Sequence, residues 1–395
     1  MLKSSAIFDR VFSLILGPMA LRGFDRFQFN KHYRRNCGQR SRSKAISALV
    51  VAAILILSAG IEANAGNPEP LKSVQAPKNN PQTPEKIELG KKLFFDRRLS
   101  GDGTMSCASC HIPEQAFADG QDISMSYPTT KNWRNAPGLI NVAFYRKFFH
   151  DGRAKSLEDQ ALFPMMSAFE MNQNLDFLEE EIRVVPEYVE AFMKAFDGEP
   201  TRTTIAMAIA AFERSLVSVN APYDKFLNGD SKAISEDAQK GFEIFKGKGR
   251  CAECHYGVIL SDDRFHALNV PENTALENDP RVITTMRFVA KVYRYPDYRN
   301  LNEDLGRYLI SKDKLDWKAF RTPMLREISR TAPYMHNGVF STLDEVIDFF
   351  DAGGGKGNRV LTPLNLSSDE KKQLKLFLVE ALTGEELKIK YPDVP

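Results

Sequence analysis

Two Cys-x-x-Cys-His strings constrain this chain more than any other feature. They are Cys107-Ala108-Ser109-Cys110-His111 and Cys251-Ala252-Glu253-Cys254-His255, and they use every cysteine except Cys37. In such a string the two thiols add to the vinyl groups of a haem, and the adjacent imidazole falls under the iron as proximal ligand. A structural disulfide is the default for exported cysteines but gives no reason for a His after both pairs. A zinc site wants its Cys-x-x-Cys knuckles about 15–20 residues apart, whereas over a hundred residues separate these two. A thioredoxin-like dithiol would need a βαβ pattern beside one pair, and none is legible. The reading is two covalently bound c-type haems, with His111 and His255 as the iron ligands.

The leader supplies the compartment. The first 65 residues hold ten lysines and arginines against three acids, and the basic stretch runs into the apolar segment from Ala45 to Ser58. Ala63-Asn64-Ala65 then offers the small-x-small pattern of a signal-peptidase site, which predicts cleavage before Gly66 and a periplasmic mature protein. The long basic region leaves an uncleaved membrane anchor as the alternative. The rest of the chain is mildly acidic, because a formal net charge of +2 includes the leader's surplus of seven. That balance argues against nucleic acid as a partner. At 395 residues, the chain is long enough for two domains with cores of their own.

Before each haem string stands a capped amphipathic helix. Thr83-Pro84-Glu85 leads into Leu89, Leu93 and Phe94, and Ser235-Glu236-Asp237 leads into Ala238, Phe242 and Phe245. Both helices share a Gly-x-x-(Leu/Ile)-Phe string, Gly90 to Phe94 and Gly241 to Phe245, a faint internal repeat. A further helix from Ser367 to Leu382 has a capping box of Ser367 and Glu370 and an apolar face of Leu374, Phe377, Leu378 and Leu382. Strand signals are sparse. The expected fold is mainly α, with two tandem cytochrome c-like helical domains. The expected boundaries are a leader over 1–65, an N-terminal domain over 66–228 and a C-terminal domain over 229–395, parting near Asn228-Gly229-Asp230.

Three further strings carry a resemblance: Asn132 to Asn141, Asp151-Gly152-Arg153 through Glu170, and Thr331-Ala332-Pro333-Tyr334-Met335-His336-Asn337-Gly338. With the haem motifs they make the chain similar to the bacterial di-haem cytochrome c peroxidases and the related MauG proteins, from about Gly90 to Gly384. The resemblance implies that the first haem reacts with peroxide, with Gln160, Pro164 and Glu170 in its distal pocket. A carboxylate beside the iron can move a proton from one peroxide oxygen to the other as base and then acid. The Gln can orient the peroxide, and the Pro leaves the sixth position free. The resemblance also implies a calcium between the haems, held by the Asn135 side chain and the carbonyls of Thr331 and Pro333, oxygen ligands suited to a hard cation.

Some positions depart from the family pattern. The family often places a His on the first iron from a loop after the first motif, but none occurs here between His111 and His150, which implies an open, five-coordinate site. His150 stands where the family has an inter-haem Trp. Gly249 and Arg250 stand where MauG has a surface Trp; the two tryptophans are Trp133 and Trp317. The sixth-ligand position of the second haem, a Met in the peroxidases and a Tyr in MauG, falls on Phe350, which has no lone pair to give. Met335, Tyr334 and His150 are the candidates for a displaced ligand. His266 and His336 are read as structural.

The function expected is an oxidoreductase of the cytochrome-c peroxidase type, reducing hydrogen peroxide with electrons from a small cytochrome c or cupredoxin. The alternatives are a MauG-like oxidase that modifies side chains of a partner protein, and a non-catalytic di-haem electron carrier. A homodimer stays open.

Overall fold

The helices start where the capping chemistry puts them. Thr83 accepts a hydrogen bond from the Lys86 N–H and Pro84 fills the first turn, opening α1 (Pro84–Phe95), which buries Leu89, Leu93 and Phe94. The computed structural model describes residues 69–395 except residue 129; the leader, Cys37 and the cleavage site lie outside the described residues. After the first haem string come α2 (Leu157–Met166), α3 (Leu175–Arg183), α4 (Pro186–Phe196) and α5 (Arg202–Ser215). Ser156, Asn174 and Thr201 cap α2, α3 and α5 through their side-chain oxygens. These helices enclose one core, in which Phe94, Phe117, Phe192 and Phe212 are almost wholly buried. Each such side chain contributes about 1.5–3 kcal/mol by leaving water.

A second core forms after the short helix α6 (Pro222–Leu227), from α7 (Glu236–Lys246), the second haem string and the C-terminal helices. Between that string and those helices lie β1 (Phe265–His266), α8 (Pro280–Val292), α9 (Tyr308–Ser311) and β2 (Phe320–Arg321). The two strands pair antiparallel, Phe265 opposite Arg321 and His266 opposite Phe320. The chain then runs through α10 (Leu343–Asp351) and α11 (Ser368–Leu376). The helix expected to reach Leu382 changes winding on the way: α11 passes into a π turn over Phe377–Ala381, and Phe377, Leu378 and Leu382 are still buried. A third apolar cluster joins Val282, Met286 and Val289 of α8 to Leu301, Leu305, Ile123 and Trp133. Among the described residues no helix is long and apolar enough to cross a membrane.

The repeated glycine string has a packing reason. A methyl on Gly90 of α1 would overlap the Ala208 carbonyl of α5, and one on Gly241 of α7 would overlap the Gln373 carbonyl of α11. Each glycine marks the place where a helix backbone crosses its partner without room for a Cβ. Phe94 and Phe245, four residues on, fill the cores beside those crossings.

Candidate haem sites

Both cysteine strings fold into the same turn. Cys107–Ser109 and Cys251–Glu253 are 3-10 turns, and the Cys107 carbonyl accepts from the N–H groups of Cys110 (3.2 Å) and His111 (3.0 Å). The Cys251 carbonyl accepts in the same way from Cys254 (3.2 Å) and His255 (2.8 Å). No disulfide joins any of these four cysteines. Burial pushes Cys110 and Cys251 up to about 12, the opposite of the depressed pKa that a redox dithiol needs.

The two imidazoles are oriented alike. His111 Nδ1 lies 2.8 Å from the Phe117 carbonyl, and His255 Nδ1 lies 2.8 Å from the Leu260 carbonyl. A carbonyl only accepts, so each Nδ1 carries the proton and each Nε2 keeps its lone pair, the arrangement that fixes a metal-ligating His. Burial also pushes both imidazoles below their ordinary pKa, favouring the neutral, ligating form.

Both strings open on one cavity of about 440 Å³. Its wall holds Trp133 Nε1, Arg321 Nη1 and Glu213 Oε2, buried polar atoms with no hydrogen-bond partner. The two orphaned donors, Trp133 Nε1 and Arg321 Nη1, in a mainly apolar wall fit a flat apolar group that carries acidic substituents. The residues present therefore suit haem, with Cys107, Cys110 and His111 holding one and Cys251, Cys254 and His255 the other.

On the side of the first string, Gln160 and Pro164 sit one turn apart on α2, and both line the cavity with His111. Pro164 has no N–H to return to Gln160, and the helix ends two residues later. Glu170 lines the same wall from the following loop. Its Oε1 accepts from Asn132 Nδ2 at 3.2 Å, and its carbonyl accepts from the Tyr127 N–H at 2.9 Å. The three residues named from sequence thus come together, and Asn132 joins them.

Between the strings, His150 Nε2 donates to the Asn135 carbonyl at 3.0 Å, and burial with the nearby Arg134 charge pushes its pKa down to about 4. The Asn135 N–H donates to the His336 carbonyl (2.8 Å), which sets Asn135 against the loop of Thr331 and Pro333; all three line the cavity. Asn135 Nδ2 is taken by the Gln121 carbonyl at 2.7 Å. His336 is buried and stacks on Phe320 with 3.7 Å between ring centres. His266 Nε2 meets Asp262 Oδ2 at 2.9 Å, an ion pair that raises its pKa.

Sequence reasoning missed the ion network behind this wall. Arg134 bonds Asp151 Oδ2 through Nη1 at 2.6 Å and Asp304 through Nε at 2.6 Å and Nη2 at 2.9 Å. Arg153 also bonds Asp151 (2.9 Å) and lies 3.4 Å from the Phe149 ring centre. Burial pushes both aspartates up, but the guanidinium groups win, and each is held below the usual carboxylate range. The partners are 170 residues apart in sequence for Arg134 and Asp304, so no local pattern announces them.

Around the second string, Phe350 lines the cavity from α10 together with Val346 and Ile347. Tyr334 and Met335 line it too, and the Tyr334 hydroxyl donates to the Ile328 carbonyl at 3.2 Å. Ahead of this string Arg250 pairs with Glu253 at 2.7 Å.

A family model described as di-haem cytochrome c peroxidase matches residues 84–232. The chain is 42% identical over 351 residues to the cytochrome-c peroxidase IdrP1 of Pseudomonas sp. (strain SCT), covering 86% of this chain and 92% of that one. It is 36% identical to the methylamine utilization protein MauG of Methylorubrum extorquens, over 85% of this chain and 88% of that one. A crystal structure of a MauG-like protein associated with microbial copper homeostasis superposes with a TM-score of 0.67 at 30% identity, covering 80% of this chain and 95% of that one.

Proposed function

The chain belongs to the di-haem cytochrome c peroxidase family, and on that footing we propose that it is a periplasmic peroxidase. It reduces hydrogen peroxide to water with electrons from a small cytochrome c or cupredoxin. In this reading residues 66–228 carry the peroxide-reacting haem and 229–395 the electron-accepting one. The observation that carries it is the convergence of Gln160, Pro164 and Glu170 on the cavity wall shared with His111.

When bound, the haem supplies the iron that holds peroxide and the electrons that split it. Glu170 takes a proton from one peroxide oxygen and returns it to the other, which leaves as water. Asn132, bonded to Oε1, holds that carboxyl in place. The Gln160 amide orients the peroxide, and Pro164 presents a ring with neither donor nor ligand. His150 stands at the inter-haem position and ties the two halves together through its carbonyl, which accepts from the Arg321 N–H at 2.8 Å. Asn135, Thr331 and Pro333 would hold a calcium ion through oxygen ligands. Phe350, on the cavity wall beside the second string, would offer a bound haem no lone pair. Modification of a partner protein has less to rest on, because the position ahead of the second string is the ion-paired Arg250 rather than an exposed ring.

The test is turnover of the purified two-haem protein with hydrogen peroxide and a reduced small cytochrome. Steady oxidation of the cytochrome, with two equivalents per peroxide, is expected. Two intact haems without any peroxide-dependent oxidation would leave the electron-carrier reading.

A further inference from the structure

Four acids line the cavity, and three have partners. Glu170 accepts from Asn132, Glu253 pairs with Arg250, and Glu327 holds Ser218, the Gly384 N–H and Arg330. Glu213, on α5, is 5% exposed, and its Oε2 has no hydrogen-bond partner. Ile209, one turn earlier on α5, lines the same wall beside Cys107 and His111. The obvious counter-ion turns away: Arg214 gives Nη2 to Glu158 Oε1 at 2.5 Å, an oxygen that also accepts from Asn80 Nδ2 at 2.8 Å.

We propose that Glu213 is the proton-accepting partner of the His111 haem, carrying a proton when that haem is reduced and losing it when the haem is oxidised. Oxidation leaves a net positive charge at the iron, which a carboxylate in the wall stabilises; reduction removes that charge and leaves the carboxylate alone in an apolar wall. The balance is simple. One electron from the reduced donor protein enters the haem, one proton from solvent forms an O–H bond on Glu213, and no other bond changes. A charge that moves the Glu213 proton equilibrium by about one pKa unit alters the reduction equilibrium by about tenfold.

The groups facing Glu213 support this placement. Arg214 lies on its own helix, Glu158 comes from α2, and Cys107 of the first haem string lies within reach of its charge. Burial pushes the Glu213 carboxyl up to about 8, Glu158 adds to the rise, and Arg214 opposes it. The proton is therefore exchangeable near neutral pH.

The test is a potentiometric titration of the two-haem protein, followed by its spectrum, across about pH 6.5–9.5. In the wild type, one of the two one-electron waves should move to lower potential as pH rises, by about tenfold in the reduction equilibrium. Glu213→Gln should hold that wave at its low-pH position throughout. Glu158→Gln, which frees Arg214 to turn toward Glu213, should shift the transition to lower pH. Redox-difference infrared spectra of the wild type at about pH 9 should gain a protonated carboxyl band on reduction, and this reading stands even if the Gln variant fails to mature. An unchanged pH dependence in Glu213→Gln, or no such band, overturns the proposal. Absence of two reducible haems would instead overturn the family-level function.

Discussion

Two properties of the proposed function turn on single side chains, Glu170 and Phe350. Glu170 stands on the cavity wall with its carboxyl held by Asn132, so Glu170→Gln keeps the shape and removes the exchangeable proton. Haem content should stay intact while the reaction with peroxide slows by about 10²–10⁴-fold in stopped flow; a change below about threefold would remove Glu170 from the mechanism. Phe350 faces the same cavity from α10, so Phe350→Met should give the second haem a Met–His low-spin signal in EPR and raise its potential, because thioether ligation favours the reduced iron. A wild-type protein that already shows that signal would refute the missing ligand. Both residues were legible in the sequence, since each sits at a fixed offset from a recognisable string. Glu213 was not. Written Ala-Ala-Phe-Glu-Arg-Ser, it reads as a solvated helix acid beside a basic neighbour, and only tertiary packing turns Arg214 away from it.

The elements were legible as far as their starts and less so at their ends. Thr83, Ser235 and Ser367 cap the helices expected of them because capping is local, a side-chain oxygen meeting an N–H two or three residues on. The π turn over Phe377–Ala381 lay beyond such rules; it forms where the buried Phe377, Leu378 and Leu382 must all meet the core around Phe242 and Phe245. The glycine string was visible as a repeat, but its meaning needed the crossings with α5 and α11. Gly241→Ala places a methyl on the Gln373 carbonyl, and a carbonyl in a helix cannot swing aside as a side chain can. Thermal or denaturant melting should show a loss of about 1–3 kcal/mol, despite the higher helix propensity of Ala. Gly90→Ala, against the Ala208 carbonyl, should behave alike. A stabilised variant would mean that these helices can separate freely.

At the scale of the molecule, pieces far apart in sequence meet at Asn135 and Arg134. If Asn135, Thr331 and Pro333 hold calcium, stripping it with a chelator should leave both haems in place and slow electron transfer between them; a protein free of tight calcium removes those ligands from the reading. Arg134 joins Asp151 to Asp304 and so fastens the α8 region to the wall of the first haem site. Both aspartates are held below the ordinary value of about 3.9. Their contribution is therefore complete above about pH 4 and is lost as pH falls through the depressed folded-state values. Asp304→Asn leaves the Arg134 charge half-compensated in a buried site, a change that costs about 3–5 kcal/mol.

That cost does not fall evenly. The third cluster is small, and besides its own apolar contacts it is tied down by polar bonds that include Arg134, the Lys131–Asp279 ion pair, Arg307 Nη1 on the Asp151 carbonyl and the Thr285 hydroxyl on the Lys131 carbonyl at 2.6 Å. Because this cluster is smaller than the other two, its amides should trade hydrogen for deuterium before those of α1 and α5. Asp304→Asn should quicken that exchange in α8 first. Each such opening would lift the packing from Trp133, whose ring is shared between this cluster and the cavity wall. Fast exchange in α8 would therefore couple local opening to the wall of the first haem site through one shared ring.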